Sequence, residues 1–338
     1  MEQYTPKQIF KIRIRLFLAL FVLLSLAAVI PSCEMPDERD VCCYNVRIDY
    51  RYYSGGEDVF KDHIHSVRHF LFDADSVLQE VTDVEGDEIT YVERVLPAGK
   101  YTMLSFANIG TSSQLDSFRI GVTRREDLSL SMNNPDANGY QQNSERLFFA
   151  LRDFEVKPSG IVHYLADFTH AHNILTVRVK MKNGSFGDSD LYYMELTNVP
   201  GSYRFFSDDK VVREVVTRAG EEVESSEDYV VYAIPELGNR RVAHRAKVYY
   251  KPGALEGSFI TYRYRNNAVP LFCLYSDEGP MMKEIDLSKF FATMGWELTL
   301  NITQEFDITI TIDGERVYVS PTMINDWEDG GVIGATTK

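Results

Sequence analysis

The chain has 338 residues, of which 44% are hydrophobic and 25% are charged, and its formal net charge is −15 at pH 7. This composition allows a sizeable buried core, so it excludes a disordered tail, a collagen-like rod and a small disulfide scaffold. The acidic balance excludes a strongly basic nucleic-acid binder, and the 20 Tyr and 20 Phe residues favour β-strands.

The first 32 residues are typical of an export signal. Four basic residues lie between positions 7 and 15, and residues 16–30 form an apolar run without any charge. The run spans roughly 22 Å as a helix, which is short for a bilayer core of about 30 Å. A basic segment followed by such a run predicts a secretory signal peptide over residues 1–32.

Cys33 follows this signal in a context that resembles a bacterial lipobox. Ser32, a small residue, precedes the cysteine, and the aliphatic Ile30 stands three positions before it. In that class of lipoprotein the cysteine sulfur receives diacylglycerol, the signal is cleaved before the cysteine, and the new amino terminus is acylated with palmitate or a similar chain. We therefore predict that Cys33 is lipidated. An uncleaved signal anchor and an unlipidated export signal are the alternatives.

Residues 33–43 are predicted to form a lipid-bearing, flexible tether. Residues 34–40 contain four acidic residues and Arg39, and this stretch resembles the surface-export signal of lipoproteins in the Bacteroidetes. Removal of residues 1–32 lowers the basic count from 35 to 31 and the acidic count from 50 to 49, which leaves a net charge of −18. Anionic lipid repels such a body, so the acyl chains would supply its attraction to the outer membrane.

Period-two alternation of apolar and polar residues dominates the rest of the chain and predicts many short β-strands. In chain order, the strands predicted up to residue 264 are Val46–Tyr52, Val67–Phe72, Tyr101–Asn108, Ile161–Phe168, Leu175–Met181, Tyr192–Asn198, Val211–Thr217, Tyr229–Ile234, Ala246–Tyr250 and Phe259–Tyr264. The Asn-rich segment Ser129–Ser144 is predicted to be a long surface loop. Asp286–Phe291 is predicted to form one short turn or helix with a serine cap.

The clearest strand pattern lies near the C-terminus. Isoleucine and threonine alternate in Ile308–Ile312, and Asp313-Gly314 supplies the positive φ angles of a tight hairpin turn before Val317–Val319. Leu298–Thr303 alternates in the same way just before the hairpin. These segments together predict an antiparallel meander of three strands.

The predicted strands define an all-β fold class. Roughly fifteen short strands exceed the seven to nine of one β-sandwich, so we predict two tandem antiparallel β-sandwich domains. The boundary is expected between Asp153 and His172. We assign residues 44–160 to the N-terminal β-sandwich and residues 161–338 to the C-terminal β-sandwich.

The cysteines leave two alternatives open. If Cys33 carries lipid, Cys42, Cys43 and Cys273 remain, and an odd number cannot all pair within the chain. One of the first two could bond to Cys273 in an oxidising compartment, or all three could be free thiols, buried where they pack. The chain has no Cys-x-x-Cys motif, which excludes a zinc ribbon.

The histidines do not predict a metal site. His63, His65 and His69 lie close in sequence, and His170 and His172 form a second pair. On a helix, the second and third of these would share a face, as zinc ligands can, but the surrounding pattern favours a strand. Since no carboxylate is placed as an obvious further ligand, we expect surface or half-buried strand histidines.

Motifs for catalysis are absent from the sequence, which contains no Gly-x-Ser-x-Gly elbow, no phosphate-binding glycine loop and no His-Glu-x-x-His. We therefore predict no enzyme, no catalytic residue and no cofactor. Asp75-Ser76-Val77 resembles the O-glycosylation sequon of the Bacteroidetes, with Ser76 as the acceptor.

The tyrosines allow two interpretations. Tyr50, Tyr52 and Tyr53, or Tyr262 and Tyr264, could line a carbohydrate platform. Tyrosine is also simply a residue that suits a half-exposed strand.

Several segments, taken in order, resemble the FimB-type anchor subunits of Bacteroidales fimbriae, which belong to the fimbrillin superfamily of the type V pilus. The resemblance is carried, after Cys33 and its acidic tether, by Tyr44–Tyr50, by Val67–Asp73 with its Phe-Asp ending, by the Leu-Pro-x-Gly-x-Tyr turn of Leu96–Tyr101 with the strand that runs on to Asn108, and by the Ile-x-Asp-Trp ending of Ile324–Trp327.

This resemblance implies two transthyretin-like β-sandwich domains and a surface lipoprotein at the base of the fibre. Such a protein holds the fibre to the outer membrane, limits its length and joins a stalk subunit by strand addition. Cleavage after Arg39, the one obvious processing site of the tether, would remove the lipid and favour a stalk or tip role. The short segment Val332–Lys338 makes a poor donor strand, which favours the anchor. The rival functions are a tip or free adhesin that binds host glycan or protein, and a glycan-processing enzyme on the same scaffold.

Overall fold

The structure is a computed structural model that describes residues 44–54, 56–86, 89–187, 191–205, 210–213, 230–301, 303–322 and 333–335, with backbone alone at 210–213, 230–232 and 333–335. The predicted signal peptide and tether lie outside these residues, and so do Cys33, Arg39, Cys42, Cys43 and the Ile-x-Asp-Trp segment. None of the helices in the described ranges is long and apolar enough to cross a membrane.

Short strands make up most of the described chain. The first half contains β1 Val46–Arg51, β2 Tyr53–Ser54, β3 Glu57–Asp58, β4 Ser66–Phe72, β5 Leu78–Glu85, β6 Tyr91–Arg94, β7 Gly99–Ala107, β8 Ser113–Leu115, β9 Ser129–Met132, β10 Phe148–Val156, β11 Val162–Asp167 and β12 Thr169–His170. The helices are α1 Phe60–His63, α2 Leu287–Thr293 and a 3₁₀ turn at Arg125–Asp127.

The second half continues the same architecture. Its strands are β13 His172–Met181, β14 Tyr193–Pro200, β15 Ser202–Arg204, β16 Lys210–Arg213, β17 Val230–Ala233, β18 Glu236–Leu237, β19 Arg241–Lys247, β20 Tyr249–Lys251, β21 Ala254–Tyr262, β22 Leu271–Ser276, β23 Gly279–Pro280, β24 Ile285–Asp286, β25 Glu305–Asp313, β26 Arg316–Pro321 and β27 Ile333–Ala335. The predicted all-β, sandwich-type fold class is therefore confirmed.

The first sandwich consists of a three-stranded sheet, β11-β1-β6, and a five-stranded sheet, β12-β10-β7-β4-β5. β1 lies in the middle of the smaller sheet, antiparallel to β6 and parallel to β11. Its apolar side chains alternate inward, with Val46, Ile48 and Tyr50 buried against the facing sheet. The alternation that predicts this strand thus also sets which face it buries.

The five-stranded sheet is buried on both faces. On β4, Val67 and Leu71 pack into the core of the first sandwich, whereas Phe70 and Phe72 pack into a separate cluster on the opposite face. A third layer, β18-β15-β9-β8, covers that opposite face. The end of β4 is covered on both sides, which agrees with the consecutive apolar residues Phe70–Phe72.

The third layer corrects the loop predicted over Ser129–Ser144. The beginning of that segment is β9, whose Leu130 and Met132 are fully buried in the cluster under the five-stranded sheet. β9 pairs with β8 on one side and with β15, from the second half of the chain, on the other. The apolar–polar alternation of β9 is only four residues long and is followed directly by Asn-rich residues, which is why the segment was predicted to be a loop.

The second sandwich consists of the sheet β20-β21-β13-β25-β26-β27 and the sheet β19-β14-β22-β23, with β24 added to β22. Its central strand β13 repeats the arrangement of β1, because β13 is antiparallel to β21 and parallel to β25. The hairpin β25–β26 confirms the turn predicted at Asp313-Gly314, where Gly314 has a φ of 61°.

Three details of the C-terminal prediction need correction. Leu298–Leu300 forms a turn, not a strand, because the backbone N–H groups of Leu300 and Asn301 both donate to the Glu297 carbonyl. The parallel pairing of β25 with β13 makes this sheet mixed, not purely antiparallel. Helix α2 is present, but its cap is the Asp286 carboxylate, which accepts from the Ser288 N–H.

The chain passes from one sandwich to the other at Ala171. β11 pairs with β1 and β12 pairs with β10, whereas β13 begins at His172 and pairs only within the second sandwich. Residues 162–167 therefore hydrogen-bond within the first sandwich. The division into independent domains at residues 160 and 161 stays a prediction, and the pairing leads us to propose Ala171 as the better boundary.

Candidate functional site

One side of the first sandwich presents two edge strands close together, β5 of the larger sheet and β6 of the smaller sheet. A narrow crevice runs between them, and we call the crevice and its two edge strands the seam. Its lining is mostly apolar and comes from both sheets: Val46, Ile48, His69, Leu71, Glu80, Thr82, Val92, Arg94, Leu96, Met103 and Phe154. Edge strands carry backbone groups that can pair with another chain.

The hydrogen bonding of β6 defines which of its backbone groups face outward. Tyr50 N–H donates to the Thr90 carbonyl, at 2.8 Å, and the register pairs Ile48 with Val92. Because antiparallel hydrogen bonding alternates along a strand, the N–H and C=O groups of Tyr91 and Glu93 point away from β1. These are the groups that an added strand would meet.

A charged pair bridges the seam. Arg94 Nε on β6 lies 2.9 Å from Glu80 Oε1 on β5, and the Thr82 hydroxyl donates to the same carboxylate oxygen. The side chains of Arg94 and Glu80 are 29% and 39% exposed, so water screens the pair. Such half-exposed ion pairs contribute about 0–1 kcal/mol to stability. This contact therefore holds the two edge strands together only weakly.

The polar floor of the seam is His69. Its Nε2 lies 2.6 Å from the Tyr50 hydroxyl and its Nδ1 lies 2.7 Å from the Ser105 hydroxyl. Burial, and secondarily the nearby Arg94 charge, lowers the pKa of His69 to about 3. His69 is therefore a neutral, fully buried strand residue, not the surface or half-buried residue that we expected.

Asn45 joins the start of β1 to the Leu-Pro turn. Its side-chain Nδ2 donates to the Leu96 carbonyl at 2.8 Å, and its Oδ1 accepts from the Leu96 N–H at 2.9 Å. Both bonds span 51 residues of sequence and link two segments that carry the family resemblance. The sequence contained both segments, but nothing in it showed that they touch.

His170 and His172 are stacked and buried, with ring centroids 4.2 Å apart. The ligand atoms of these histidines and Glu305 lie within 4.8 Å of one another, so this group is the one among the described residues that could hold a metal ion. His170 Nε2 already meets the Tyr52 hydroxyl at 2.6 Å, and His172 Nδ1 donates to the Leu147 carbonyl at 2.7 Å. A metal would have to displace the Tyr52 contact and separate the stacked rings.

A buried arginine fixes the junction between the two sandwiches, which we call the waist. The Arg263 guanidinium donates to the carbonyls of His170, Leu298, Thr299 and Asn301, and its backbone N–H donates to the Tyr203 hydroxyl. The Arg263 side chain is 0% exposed. These bonds turn the carbonyls of residues 298–301 inward, which is why that segment cannot form the strand that its alternation predicted.

Gln304 completes the waist. Its side-chain Nε2 donates to the carbonyls of Tyr264 and Leu298, and its Oε1 accepts from the Tyr264 N–H at 2.7 Å. Gln304 is fully buried, and its own carbonyl accepts from the Ile174 N–H at the start of β13. Sequence reasoning missed both waist residues because a single arginine or glutamine among polar residues carries no positional signal.

The burial of these tyrosines contradicts the carbohydrate platform, which was one of their two interpretations. Tyr50, Tyr52, Tyr262 and Tyr264 are buried in the cores, and Tyr53 is half-buried. Aromatic packing explains the burial, since Tyr262 stacks on Tyr203 in the cluster beneath the five-stranded sheet.

A different group of tyrosines surrounds a surface cleft of about 560 Å³ on the second sandwich, which we call the tyrosine cleft. Its lining residues are Asp136, Tyr140, Gln141, Gln142, Asn143, Tyr192, Tyr193, Arg245, Ala246, Lys247, Tyr249 and Ser258. They come from the loop after β9 and from β14, β19, β20 and β21 with their flanking residues. The cleft volume lies within the usual range of ligand sites, roughly 300–1,000 Å³.

Two other predicted residues are described. Ser76 lies in the turn between β4 and β5 with a φ of 61°, and its N–H donates to the Asp73 carbonyl at 3.0 Å. It is partly exposed, and O-glycosylation there stays a prediction.

Cys273 is a buried free thiol that donates to the Met282 carbonyl, and burial raises its pKa. The predicted lipidation and processing sites lie outside the described residues.

A layered β-sandwich protein with an open seam belongs to the class of architectures on which strand addition can occur. The model of the family described as "Fimbrillin-A associated anchor proteins Mfa1 and Mfa2" matches residues 39–328, so the chain belongs to this family. The predicted anchor family is therefore confirmed. The chain is a structural fimbrial protein with an anchor or accessory role and not an enzyme, and its family implies a location at the cell surface or outer membrane.

Solved structures share the fold at low sequence identity. The fimbrial anchor protein Mfa2 from Porphyromonas gingivalis is 14% identical, with a TM-score of 0.61, and the match covers 83% of this chain and 99% of that one. A candidate adhesin from Bacteroides ovatus is 12% identical, with a TM-score of 0.62 and coverage of 86% and 94%. A candidate polysaccharide-binding protein from Bacteroides thetaiotaomicron is 14% identical, with a TM-score of 0.61 and coverage of 82% and 98%. No curated protein sequence matches the chain.

Proposed function

We propose that this chain is a surface-exposed outer-membrane lipoprotein that anchors a type V fimbria at its base through acyl chains on Cys33 and limits the length of the fibre. The observation that carries the proposal is the family match, which begins at residue 39, just after the predicted lipid site. The described body then begins at residue 44, so only a short tether separates the lipid from the first sheet.

β1 is the first strand after the predicted tether. It lies between β6 and β11 with Val46, Ile48 and Tyr50 buried. Cleavage after Arg39 would fall before β1 and leave this sheet intact. Tension on Cys33 would load β1 along its own axis, against hydrogen bonds on both sides and the Asn45 contacts with Leu96.

We propose that the fimbrial stalk subunit joins this chain at the seam by adding a strand to β6. The outward backbone groups of Tyr91 and Glu93 would supply the hydrogen bonds, with the donor replacing Arg94 Nη1, which donates to the Glu93 carbonyl at 2.6 Å. The crevice has a volume of only about 20 Å³, so it would have to widen before its apolar lining could contact alternate side chains of the donor. Because the closing contact between Arg94 and Glu80 is weak, its loss would oppose the addition only slightly.

The experiment compares Glu93→Pro with Glu93→Ala in cells that make the fibre. Proline removes an outward N–H of the edge strand, whereas alanine removes only the side chain and its contact with Arg47. If the seam accepts the donor, the proline variant loses co-purifying fimbrial subunits and the alanine variant keeps them. Equal recovery of subunits with both variants would exclude strand addition to β6.

The alternative is a fimbrial tip or free adhesin, which the presence of the tyrosine cleft favours. Mass spectrometry of the mature N-terminus separates these roles. Acylated Cys33 with bound fimbrial subunits supports the anchor, and Cys33→Ala should then release the protein from membranes. An unlipidated start at Asp40 supports a stalk or tip, and acylated Cys33 without fimbrial subunits supports a free adhesin.

A further inference from the structure

We propose that the tyrosine cleft binds an uncharged oligosaccharide chain. This function would be additional to anchoring, and it uses the loop after β9 and strands of the second sandwich, which lie apart from the seam. None of the five tyrosines considered from the sequence as a carbohydrate platform lines the cleft.

The wall of the cleft is a stack that is already fixed without a ligand. The Arg245 guanidinium lies 3.9 Å from the ring centre of Tyr140 and 4.1 Å from that of Tyr193. On its far side, Tyr193 stacks on Tyr275 with the rings 5.1 Å apart and nearly parallel. Cation–π contacts of this kind contribute about 0.5–2 kcal/mol each, so the wall is held in one geometry.

A buried carboxylate holds the arginine in the stack. Glu195 Oε1 accepts from Arg245 Nη2 at 2.7 Å and from Nε at 3.2 Å, and the Glu195 side chain is only 8% exposed. A hydrogen bond with Glu195 also raises the pKa of the Tyr140 hydroxyl. Binding to a wall that is ordered in advance loses little conformational entropy, which favours weakly held ligands such as sugars.

The rim supplies polar groups beside the exposed ring of Tyr249. Tyr249 is 59% exposed at the edge of the cleft, and Gln142 is exposed beside it. Asp136 is oriented by two backbone N–H groups, those of Asn138 and Tyr140, each 2.9 Å from its Oδ1. A pyranose ring matches this arrangement, because its C–H face packs on an aromatic ring while its hydroxyls exchange hydrogen bonds with amide and carboxylate groups.

The same lining disfavours the other occupants of a cleft this size. Ala246 is its one aliphatic residue among those described, so a donor strand or an amphipathic helix would find no apolar pockets for its side chains. The net charge of −15 repels nucleic acid. Within the lining, the charge of Asp136 offsets that of Lys247, and Arg245 is neutralised by Glu195, which favours an uncharged ligand.

The test measures binding of the full chain, purified from membranes in detergent, to immobilised uncharged hexose and N-acetylhexosamine oligosaccharides, with sialylated and sulfated glycans alongside. Tyr249→Ala removes an exposed ring and should weaken binding about tenfold. Arg245→Lys keeps the charge but loses the planar stack, so it should weaken binding similarly. Phe118→Ala, which removes a 39% exposed aromatic ring outside both the tyrosine cleft and the seam, is the matched control and should bind like wild type.

Four results would overturn the proposal. No uncharged oligosaccharide binds the folded chain, or Tyr249→Ala binds as tightly as wild type. Binding is confined to anionic glycans and disappears with added salt, which would make the site electrostatic. Tyr249→Ala loses fimbrial subunits and keeps glycan binding, which would make the cleft a protein interface. Each of these results can be told apart from failure of the anchor proposal, since that proposal is tested at Cys33 and Glu93.

Discussion

The waist and the seam are each closed by an arginine, but the two arginines differ in burial. Arg263 at the waist is 0% exposed and binds backbone carbonyls from two separate stretches of chain, whereas Arg94 at the seam is 29% exposed and meets a 39% exposed glutamate. Water screens the contact between Arg94 and Glu80, whereas it is excluded from the contacts of Arg263. The molecule therefore combines a firm joint between its sandwiches with an edge that opens easily.

This difference would suit the proposed anchor, which has to accept a partner. The waist joins β13 and the end of β12 through hydrogen bonds of Gln304 and Arg263. The seam can lose its bridging pair while β1 stays hydrogen-bonded on both sides. Strand addition at the seam would then leave the rest of the fold unchanged.

The largest expected effect is acid destabilisation, which tests both regions together. Burial lowers the pKa of His69 beneath the seam to about 3 and that of His172 at the waist to about 4, and it also lowers the pKa of His170. Below the unfolded value of about 6.5, the unfolded chain binds more protons than the folded chain, so stability is lost as the pH falls. Between pH 6.5 and 5, His69 and His172 should each lower the free energy of unfolding by about 1.5 kcal/mol, and His170 should act in the same direction.

Thermal or denaturant unfolding at several pH values checks this expectation. His172→Asn should make the free energy of unfolding depend less steeply on pH, by the contribution of one histidine. His65→Gln changes an exposed residue and should leave the profile unaltered. An unfolding midpoint that stays constant from pH 7 to pH 5 would contradict the burial of these rings.

The next largest expected effect is a loss of stability from a change at the waist alone. Arg263→Met removes the charge and its hydrogen bonds but keeps much of the side-chain volume, and it leaves several buried carbonyls without their donor. Removal of one partner from a buried charged network typically lowers the free energy of unfolding by about 3–5 kcal/mol. Denaturant unfolding measures the loss, and Arg119→Met on an exposed position should change stability by less than about 0.5 kcal/mol. A wild-type midpoint for Arg263→Met would mean that the waist is not a firm joint.

Sequence patterns predicted the strands whose two faces differ, and they predicted only some of the strands that are covered on both faces. β1, β13 and the hairpin β25–β26 alternate because one face is buried and the other is wet. β10 begins with an apolar run because the five-stranded sheet is covered on both sides, and the sequence did not predict it. Leu298–Thr303 alternates but is turned by Arg263, which lies 35 residues away from Leu298 along the chain.

The seam and the tyrosine cleft could not be predicted from the sequence, for a related reason. An edge strand is defined by which strands fail to flank it, and that depends on the complete topology and not on the local pattern of β6. The predicted tyrosines followed strand patterns into the cores, while Tyr140 lies in a segment predicted to be a featureless loop. The predicted family, in contrast, depended on the order of several short motifs, which needs no side-chain geometry.

The smallest expected effect is at the seam, and it is the sharpest test of the comparison. A double-mutant cycle of Arg94→Ala and Glu80→Ala should give a coupling energy of less than about 1 kcal/mol, falling further with added salt, because both groups are partly exposed. Thr82→Val, which removes the hydroxyl that bonds to Glu80, provides an uncharged control at the same edge. A coupling energy of about 3 kcal/mol or more would make the seam as firm as the waist. Strand addition would then first have to break a strong contact, and the other free edge of the smaller sheet, β11, would become the better candidate for the fibre.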